Sequence, residues 1–170
     1  MDVSFALRTK RAVRDFSIEA LPDDVVVSIL NAGRRAQSSK NSQPWHMIAI
    51  TDRTILEELS KLGDWAGHLA GAALGVALLS PNPVEKFQIM FDLGQCAAYM
   101  QLAAWELGVG SCPASIYMPD EARKLLAFPD DLHLRIAISF GYPIDTTQLT
   151  ASPRKGGRKS FDETVHWDKW

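Results

Sequence analysis

The segment that most constrains the fold is VEKFQIMFDLGQCAAYMQLAAWELG, residues 84–108. It is the longest helical candidate in a chain of 170 residues, and Gly108 marks its expected end. After Phe87 the apolar residues fall on nearly every side of such a helix, which indicates burial all round. A chain of this length has little material to surround so long a helix, so the pattern predicts that a partner subunit covers part of it.

Shorter helices and strands alternate around this segment. Asp23 and Asp24 begin a helix whose last turn carries arginines, an arrangement that suits the helix dipole. The continuous apolar run at 72–80 is typical of a strand covered on both faces. The predicted helices are 23–37, about 53–62 and 119–128, and the predicted strands are 46–51, 72–80 and 132–143. This alternation indicates an α/β or α+β fold rather than a bundle. We expect a single domain over 1–170, with 144–170 as a polar C-terminal extension that wraps the partner subunit.

Composition excludes several classes of protein. The net charge of −2 and the pI near 6.1 argue against a nucleic-acid-binding surface. Cys96 and Cys112 are too few for a disulfide framework and lack the CxxC spacing of a metal site, so we expect two buried thiols. No secretory signal pattern and no uncharged apolar run of the ~20 residues that span a bilayer is found. A cytoplasmic protein without membrane contact is therefore the expectation.

A cluster of cations lies near the N-terminus, in RTKRAVRDF, with Arg8, Lys10, Arg11 and Arg14. A solvated helix face, a nucleic-acid-binding arm and a phosphate site would each explain it. The third interpretation has a physical basis, because guanidinium forks and ammonium groups neutralise phosphate better than other side chains. The C-terminal extension carries a second cluster of cations, and the two clusters together suggest that both bind a single dianion. The second cluster consists of Arg154, Lys155, Arg158 and Lys159.

The stretch NSQPWHMIAI, residues 41–50, places Asn41, Gln43, Trp45 and His46 immediately before or at the start of a predicted strand. Ordinary turns before strands use Gly, Asp or Ser instead. Amide side chains donate and accept hydrogen bonds, so Asn41 and Gln43 suit a binding loop. For Trp45 and His46 we expect packing in the core rather than a direct catalytic role.

Three stretches resemble the flavin-dependent nitroreductases. KRAVRDF (10–16) is similar to their Arg-Arg-Ser-x-Arg-x-Phe signature, and AQSSKNSQPWHM (36–47) to their Ala-Pro-Ser-x-x-Asn-x-Gln-Pro-Trp motif. DLGQCAAYMQLAAWELGVGSC (92–112) resembles their central helix. The resemblance implies an α+β fold, a mainly antiparallel sheet flanked by helices, in an intertwined homodimer with FMN at the interface.

The resemblance assigns the cations to the FMN site. Lys10 and Arg11 would hold the phosphate and ribityl chain, and Arg14 would lie near the N1/C2 carbonyl edge of the ring. A fixed cation there raises the reduction potential, because reduction leaves negative charge on that edge. Arg158 or Lys159 would complete the phosphate clamp. Lysine at position 10 replaces the usual arginine and offers a point charge rather than a fork.

The resemblance also assigns the loop at 38–43. It would reach the partner subunit's flavin, with Ser38, Ser39 and Asn41 donating to flavin or ribityl oxygens and Gln43 bracing the turn. Ala12 occupies the cofactor-contacting position of the motif's serine, so one hydroxyl is missing there.

The implied activity is hydride transfer from NADH or NADPH through FMN to a nitroaromatic, quinone or related small acceptor, by a ping-pong mechanism. No side chain need act as nucleophile or base, which agrees with the absence of paired carboxylates or a Ser/His/Asp set. Two alternatives remain. One is a flavin-binding or sensor protein without turnover. The other is different flavin chemistry on the same fold, such as dehalogenation, dehydrogenation or flavin destruction.

Overall fold

The computed structural model describes residues 2–150 and 157–170. Its four strands are β1 (His46–Ile50), β2 (Leu74–Ser80), β3 (Gly110–Ser115) and β4 (His133–Gly141). They form one sheet in the order β1-β2-β4-β3, and each neighbouring pair is antiparallel. The register places Val76 opposite Ile138, and Cys112 opposite Ser139. The expected antiparallel sheet is confirmed, and β3 is a strand that the sequence did not predict.

The helices surround this sheet. They are α1 (Val3–Thr9), α2 (Asp23–Arg34), α3 (Arg53–Ser60), α4 (Gln88–Glu106), α5 (Pro119–Leu126) and α6 (Phe161–Thr164). Local sequence explains several of their ends. The Asp52 carboxylate accepts hydrogen bonds from the N–H groups of Thr54 and Ile55 at the start of α3. Pro119 begins α5, where its missing N–H costs no hydrogen bond.

Strand β2 lies in the middle of the molecule, and all seven of its residues are buried. Because side chains alternate along a strand, its two faces belong to two separate apolar clusters. Val76 and Leu78 pack with residues of α2 and α4. Ala77 and Leu79 pack with residues of α3 and α5 on the opposite face. The expectation of a strand covered on both faces is therefore confirmed.

Helix α4 differs from the expectation in its start and in its burial. It begins at Gln88 rather than at residue 84, and within the chain only one side of it is covered. The covered side includes Leu93, Cys96 and Met100. Phe91 on the other side is 72% exposed, and Tyr99 is exposed too. The single chain thus leaves a broad apolar face of α4 uncovered, and this is the part for which the sequence predicted cover by a partner subunit.

The C-terminal extension lies mainly at the surface. Residues 157–170 are exposed except for the half-buried Val165, and α6 is closed by a capping box between Ser160 and Glu163. Arg154 and Lys155, which the sequence assigns to the second basic cluster, fall outside the described residues. Within the described residues, no helix has both the length and the apolar character needed to cross a membrane.

Candidate functional site

The first basic cluster runs along the β3 side of the sheet. After α1 ends, Ala12 bridges to Ser111, and Phe16 bridges to Pro143 just beyond β4. The Val13 N–H donates to the Ser111 carbonyl at 3.0 Å. Val13 is buried while Ala12 and Arg14 on either side of it are exposed, as expected for extended backbone. This pairing holds Arg14 outward at the edge of the sheet.

Gly110 permits this close approach of the N-terminal segment. A Cβ atom at Gly110 would lie 2.6 Å from the Cβ of Val13, closer than two carbon atoms can pack. Only glycine therefore fits beside Val13 without displacing the segment that carries Arg14.

Lys10 and Arg11 are half-buried, in contrast to the exposed Arg14. The Lys10 ammonium donates to the side-chain carbonyl of Gln101 on α4. Burial lowers the pKa of Lys10, and the neighbouring Cys112 acts weakly in the opposite direction. The Arg11 guanidinium donates to the Lys10 carbonyl at 2.9 Å.

The buried Nε of Arg11 has no hydrogen-bond partner within the described residues. Buried donors are almost always paired, so an unpaired one marks a position for a bound acceptor. A phosphate oxygen matches both the donor and the surrounding positive charge. The residues present therefore fit a phosphorylated ligand.

Arg14 opens into a cleft of about 850 Å³. Its walls combine apolar and polar side chains, and Trp65 at the rim is 84% exposed. The cleft is lined by Arg14, Asp15, Phe16, Asp64, Trp65, Gly67, His68, Gly71 and Ile144. A cation beside aromatic and aliphatic walls suits a planar ring that carries or gains negative charge.

The floor of the cleft contains a hydrogen-bonded chain from His68 into the sheet. The Ser139 hydroxyl donates to the Cys112 carbonyl at 3.2 Å, and its oxygen lies 2.7 Å from Nδ1 of His68. The Ser139 hydroxyl therefore contacts both the His68 ring and the backbone of β3. The buried Nε2 of His68 has no hydrogen-bond partner within the described residues.

Electrostatics keeps His68 neutral. Burial lowers its pKa, and the positive charge of Arg14 lowers it further. Burial also raises the pKa of the Cys112 thiol, which Arg14 and Lys10 partly offset. Both effects of burial favour the protonated thiol, and burial raises the pKa of Cys96 to about 12; neither cysteine forms a disulfide within the described residues.

The loop at 38–43 is attached to α4 through Asp92, whereas Lys10 contacts Gln101 of the same helix. The Ser39 N–H donates to both carboxylate oxygens of Asp92, at 3.1 and 3.2 Å. The Gln43 N–H donates to the Ser38 hydroxyl oxygen at 2.9 Å, and the Gln43 amide donates to Oδ1 of Asn41 at 3.1 Å. These contacts point the exposed Asn41 side chain outward with its NH₂ group as an available donor.

The structure does not bring this loop and the basic cluster together within one chain. The loop is attached to Asp92 and the cluster to Gln101, nine residues further along α4. Nine residues are about two and a half helical turns and about 13 Å along the axis, so the two anchors lie on opposite sides of α4. Within one chain, the loop and the cations are therefore attached to different faces of α4.

The remaining assigned residues occupy less informative positions. Arg158 and Lys159 are exposed, and no hydrogen bond or ion pair within the described part of the chain ties either to the N-terminal cluster. Trp45 is buried in the core, as expected. His46 was also expected in the core, and this is wrong because it begins the edge strand β1 with its side chain exposed.

Sequence reasoning missed three residues of the site. Asp92 and Gln101 are polar residues in an otherwise apolar helix, and that contrast was the available signal. His68 is the third, and nothing in its sequence neighbourhood indicates the contact with Ser139.

Fold and site together define an α+β protein with a cleft beside Arg14 and two half-buried cations, Lys10 and Arg11, on the same N-terminal segment. The profile of the nitroreductase family matches residues 7–70 and 65–142. The chain belongs to the nitroreductase family, as its motifs predicted.

Relatives and solved structures agree with this membership. A protein from Archaeoglobus fulgidus with the provisional name NADH dehydrogenase/NAD(P)H nitroreductase is 27% identical over 169 residues, covering 95% of each chain. An iodotyrosine deiodinase from Thermotoga neapolitana is 26% identical over 168 residues, covering 81% of this chain and 87% of the relative. The structure of an FMN-dependent nitroreductase from Clostridium difficile has a TM-score of 0.83 at 23% identity, covering 99% of this chain and all of that one.

Proposed function

We propose that this protein is an FMN-dependent oxidoreductase that takes hydride from NADH or NADPH and passes it to a small acceptor by a ping-pong mechanism. The observation that carries the proposal is the arrangement of three cations. Arg14 opens into a cleft with apolar and polar walls, while Lys10 and Arg11 are half-buried and the Nε of Arg11 has no partner within the described residues. A flat ring joined to a phosphate matches both parts. The names of the relative from Archaeoglobus and of the Clostridium structure support this cofactor and these donors.

The chain's own residues would bind and tune the cofactor. Lys10 and Arg11, with Arg158 or Lys159 from the C-terminal extension, would neutralise the phosphate. Arg14 would stabilise the negative charge that reduction places on the N1/C2 edge of the ring. Bound FMN would supply the two-electron chemistry that links donor and acceptor. Ala12 contributes no hydroxyl, so the backbone and the cations must hold that part of the ligand.

A homodimer completes the proposed site. The loop with Ser38, Ser39, Asn41 and Gln43 lies across α4 from the cations of its own chain. The uncovered apolar face of α4, including Phe91, supports a partner subunit at this helix. In such an assembly, the loop of one protomer would donate hydrogen bonds to the ligand held by the cations of the other.

The first test is the visible spectrum of the purified protein, followed by anaerobic titration with NADH and then with NADPH. The proposal predicts flavin absorbance that is lost on addition of at least one of the two nicotinamides. A flavin that stays oxidised with both would instead support a binding or sensor protein. A colourless protein that takes up no added FMN would refute the proposed cofactor.

Reductive dehalogenation is a second candidate, because a relative of similar identity is an iodotyrosine deiodinase. Nitroaromatics, quinones and halogenated phenols should therefore be compared as acceptors by steady-state kcat/KM with the same nicotinamide. A preference of at least tenfold for the halogenated phenol would favour the second candidate over the first.

A further inference from the structure

The loop at 38–43 has an unusual backbone. Lys40, Asn41 and Gln43 adopt φ values of 53°, 54° and 46°, in the left-handed region. Asparagine tolerates this region, but lysine and glutamine do not favour it, and the loop contains no glycine. Left-handed residues of this kind persist only where the surrounding structure holds them, and they concentrate at functional sites.

Asp92 is the residue that attaches the loop to the body of the protein. Its side chain is buried at 2% exposure, and both carboxylate oxygens accept from the Ser39 N–H at the start of the loop. No cation of the described residues pairs with this carboxylate. A buried carboxylate is costly unless it is hydrogen-bonded, so its presence in an apolar helix calls for a role.

The second tie, from the Gln43 N–H to the Ser38 hydroxyl, lies within the loop itself. It closes the loop but does not attach it to a helix or strand. The direct hydrogen bond from Ser39 to Asp92 therefore fixes the loop's orientation relative to α4.

We infer that Asp92 is a positioning residue that holds loop 38–43 in its left-handed conformation and so aims the Asn41 amide at the flavin of the partner subunit. The inference depends on the proposed function for the identity of the ligand. Its first half, the effect of Asp92 on the loop, does not depend on any cofactor.

The conformation of the loop can be followed by proteolysis, because Lys40 is exposed and trypsin cleaves after lysine. Full-length protein without added FMN is digested briefly, and the fragment that ends at Lys40 is quantified by mass spectrometry. In Asp92→Leu, which removes both acceptor oxygens, cleavage after Lys40 should be about tenfold faster, because proteolysis follows the population of the open loop. Asp92→Asn keeps one acceptor oxygen and should give an intermediate rate.

Asp52→Asn is the matched control. Asp52 also accepts from backbone N–H groups, but at the start of α3, where its removal should leave cleavage after Lys40 unchanged. Unchanged cleavage in both Asp92 variants would overturn the inference. Asp92→Asn keeps the test valid if Asp92→Leu does not fold.

The second measurement is the FMN dissociation constant, obtained by quenching of FMN fluorescence. The loss of preorganisation should weaken binding about tenfold in Asp92→Leu and less in Asp92→Asn. Faster cleavage with unchanged FMN affinity would overturn the assignment of this conformation to flavin binding. If the wild-type protein binds no FMN, the proposed function fails, while the cleavage rates still decide whether Asp92 orders the loop.

Discussion

At the scale of single residues, His68 links the cleft to the stability of the fold. Its pKa is lowered from the ordinary value of 6.5 by burial and by Arg14. Above that value, both folded and unfolded chains carry a neutral ring. As the pH falls below about 6.5, the unfolded chain binds a proton that the folded chain excludes, so the free energy of unfolding decreases.

His68→Gln should therefore reduce this acid-side loss of stability, because glutamine does not titrate. Urea unfolding at a series of pH values below 7 measures the slope. His166→Gln, in the exposed C-terminal extension, serves as the control and should keep the wild-type slope. Equal slopes for wild type and His68→Gln would contradict the burial of a neutral ring.

Arg14→Ala tests the electrostatic role of the exposed cation. A charged hydrogen-bond donor contributes about 1.5–3 kcal/mol, so FMN binding should weaken about tenfold or more, and the reduction potential should fall. Fluorescence titration and spectroelectrochemistry measure the two effects. Arg14→Lys should retain part of both, and Arg8→Ala, an exposed cation on α1, should change neither. Wild-type affinity and potential in Arg14→Ala would exclude the assigned role.

The types of residue in the sequence predicted much of the candidate site, but the residues that hold these side chains in place were found only in the structure. The cations at 10–14 and the amides at 41 and 43 are visible because charged and amide side chains are chemically specific. The contacts of Asp92 with Ser39 and of Lys10 with Gln101 join residues far apart in sequence. No local pattern encodes such pairs, and only the packing of α4 reveals them.

At the scale of elements, α2 and α4 pack unusually closely at Gly33. A Cβ atom there would lie 2.7 Å from Cγ of Met100 and 3.2 Å from Sγ of Cys96, and both neighbours are fully buried. Gly33→Ala should destabilise the fold by about 1–2 kcal/mol, because overpacking exceeds the gain in helix propensity. Thermal or urea unfolding measures the change. The control Ser28→Ala, at an exposed position of α2, should stay within about 0.5 kcal/mol of wild type. If Gly33→Ala were as stable as wild type, the close contact between α2 and α4 would not limit the residue at position 33.

Elements with a regular hydrophobic pattern were predicted well, and irregular ones were not. The apolar residues Val3, Phe5 and Leu7 alternate with a period of two, yet they lie on α1 and remain exposed. Strand β3 reads GSCPAS, whose Gly, Ser and Pro are poor strand formers. It lies at the edge of the sheet next to β4, and an edge position tolerates Pro113. Tertiary pairing, rather than local propensity, creates β3, whereas α1 begins at a local cap, the Asp2 carboxylate.

At the scale of the whole molecule, the uncovered face of α4 predicts the assembly state. Phe91→Glu places a charge on this face and should convert a dimer to a monomer, since burying an unpaired carboxylate is costly. Light scattering after size exclusion measures the mass. Tyr117→Glu, beyond the end of β3 and beside α3, changes an exposed aromatic side chain elsewhere and should leave the mass unaltered. A dimeric Phe91→Glu with wild-type flavin content would contradict an interface at α4.

The loop and the cations are attached to opposite sides of α4. A dimer of such chains would contain two ligand sites. In a dimer with two sites, each chain would contribute its cations to one site and its loop to the other. Both chains would therefore be needed to form each site. A heterodimer of two inactive variants, one substituted at its cations and one in its loop, would then contain one site without substitutions and one site with both. In the proposed dimer, complementation between such defective alleles would therefore be expected.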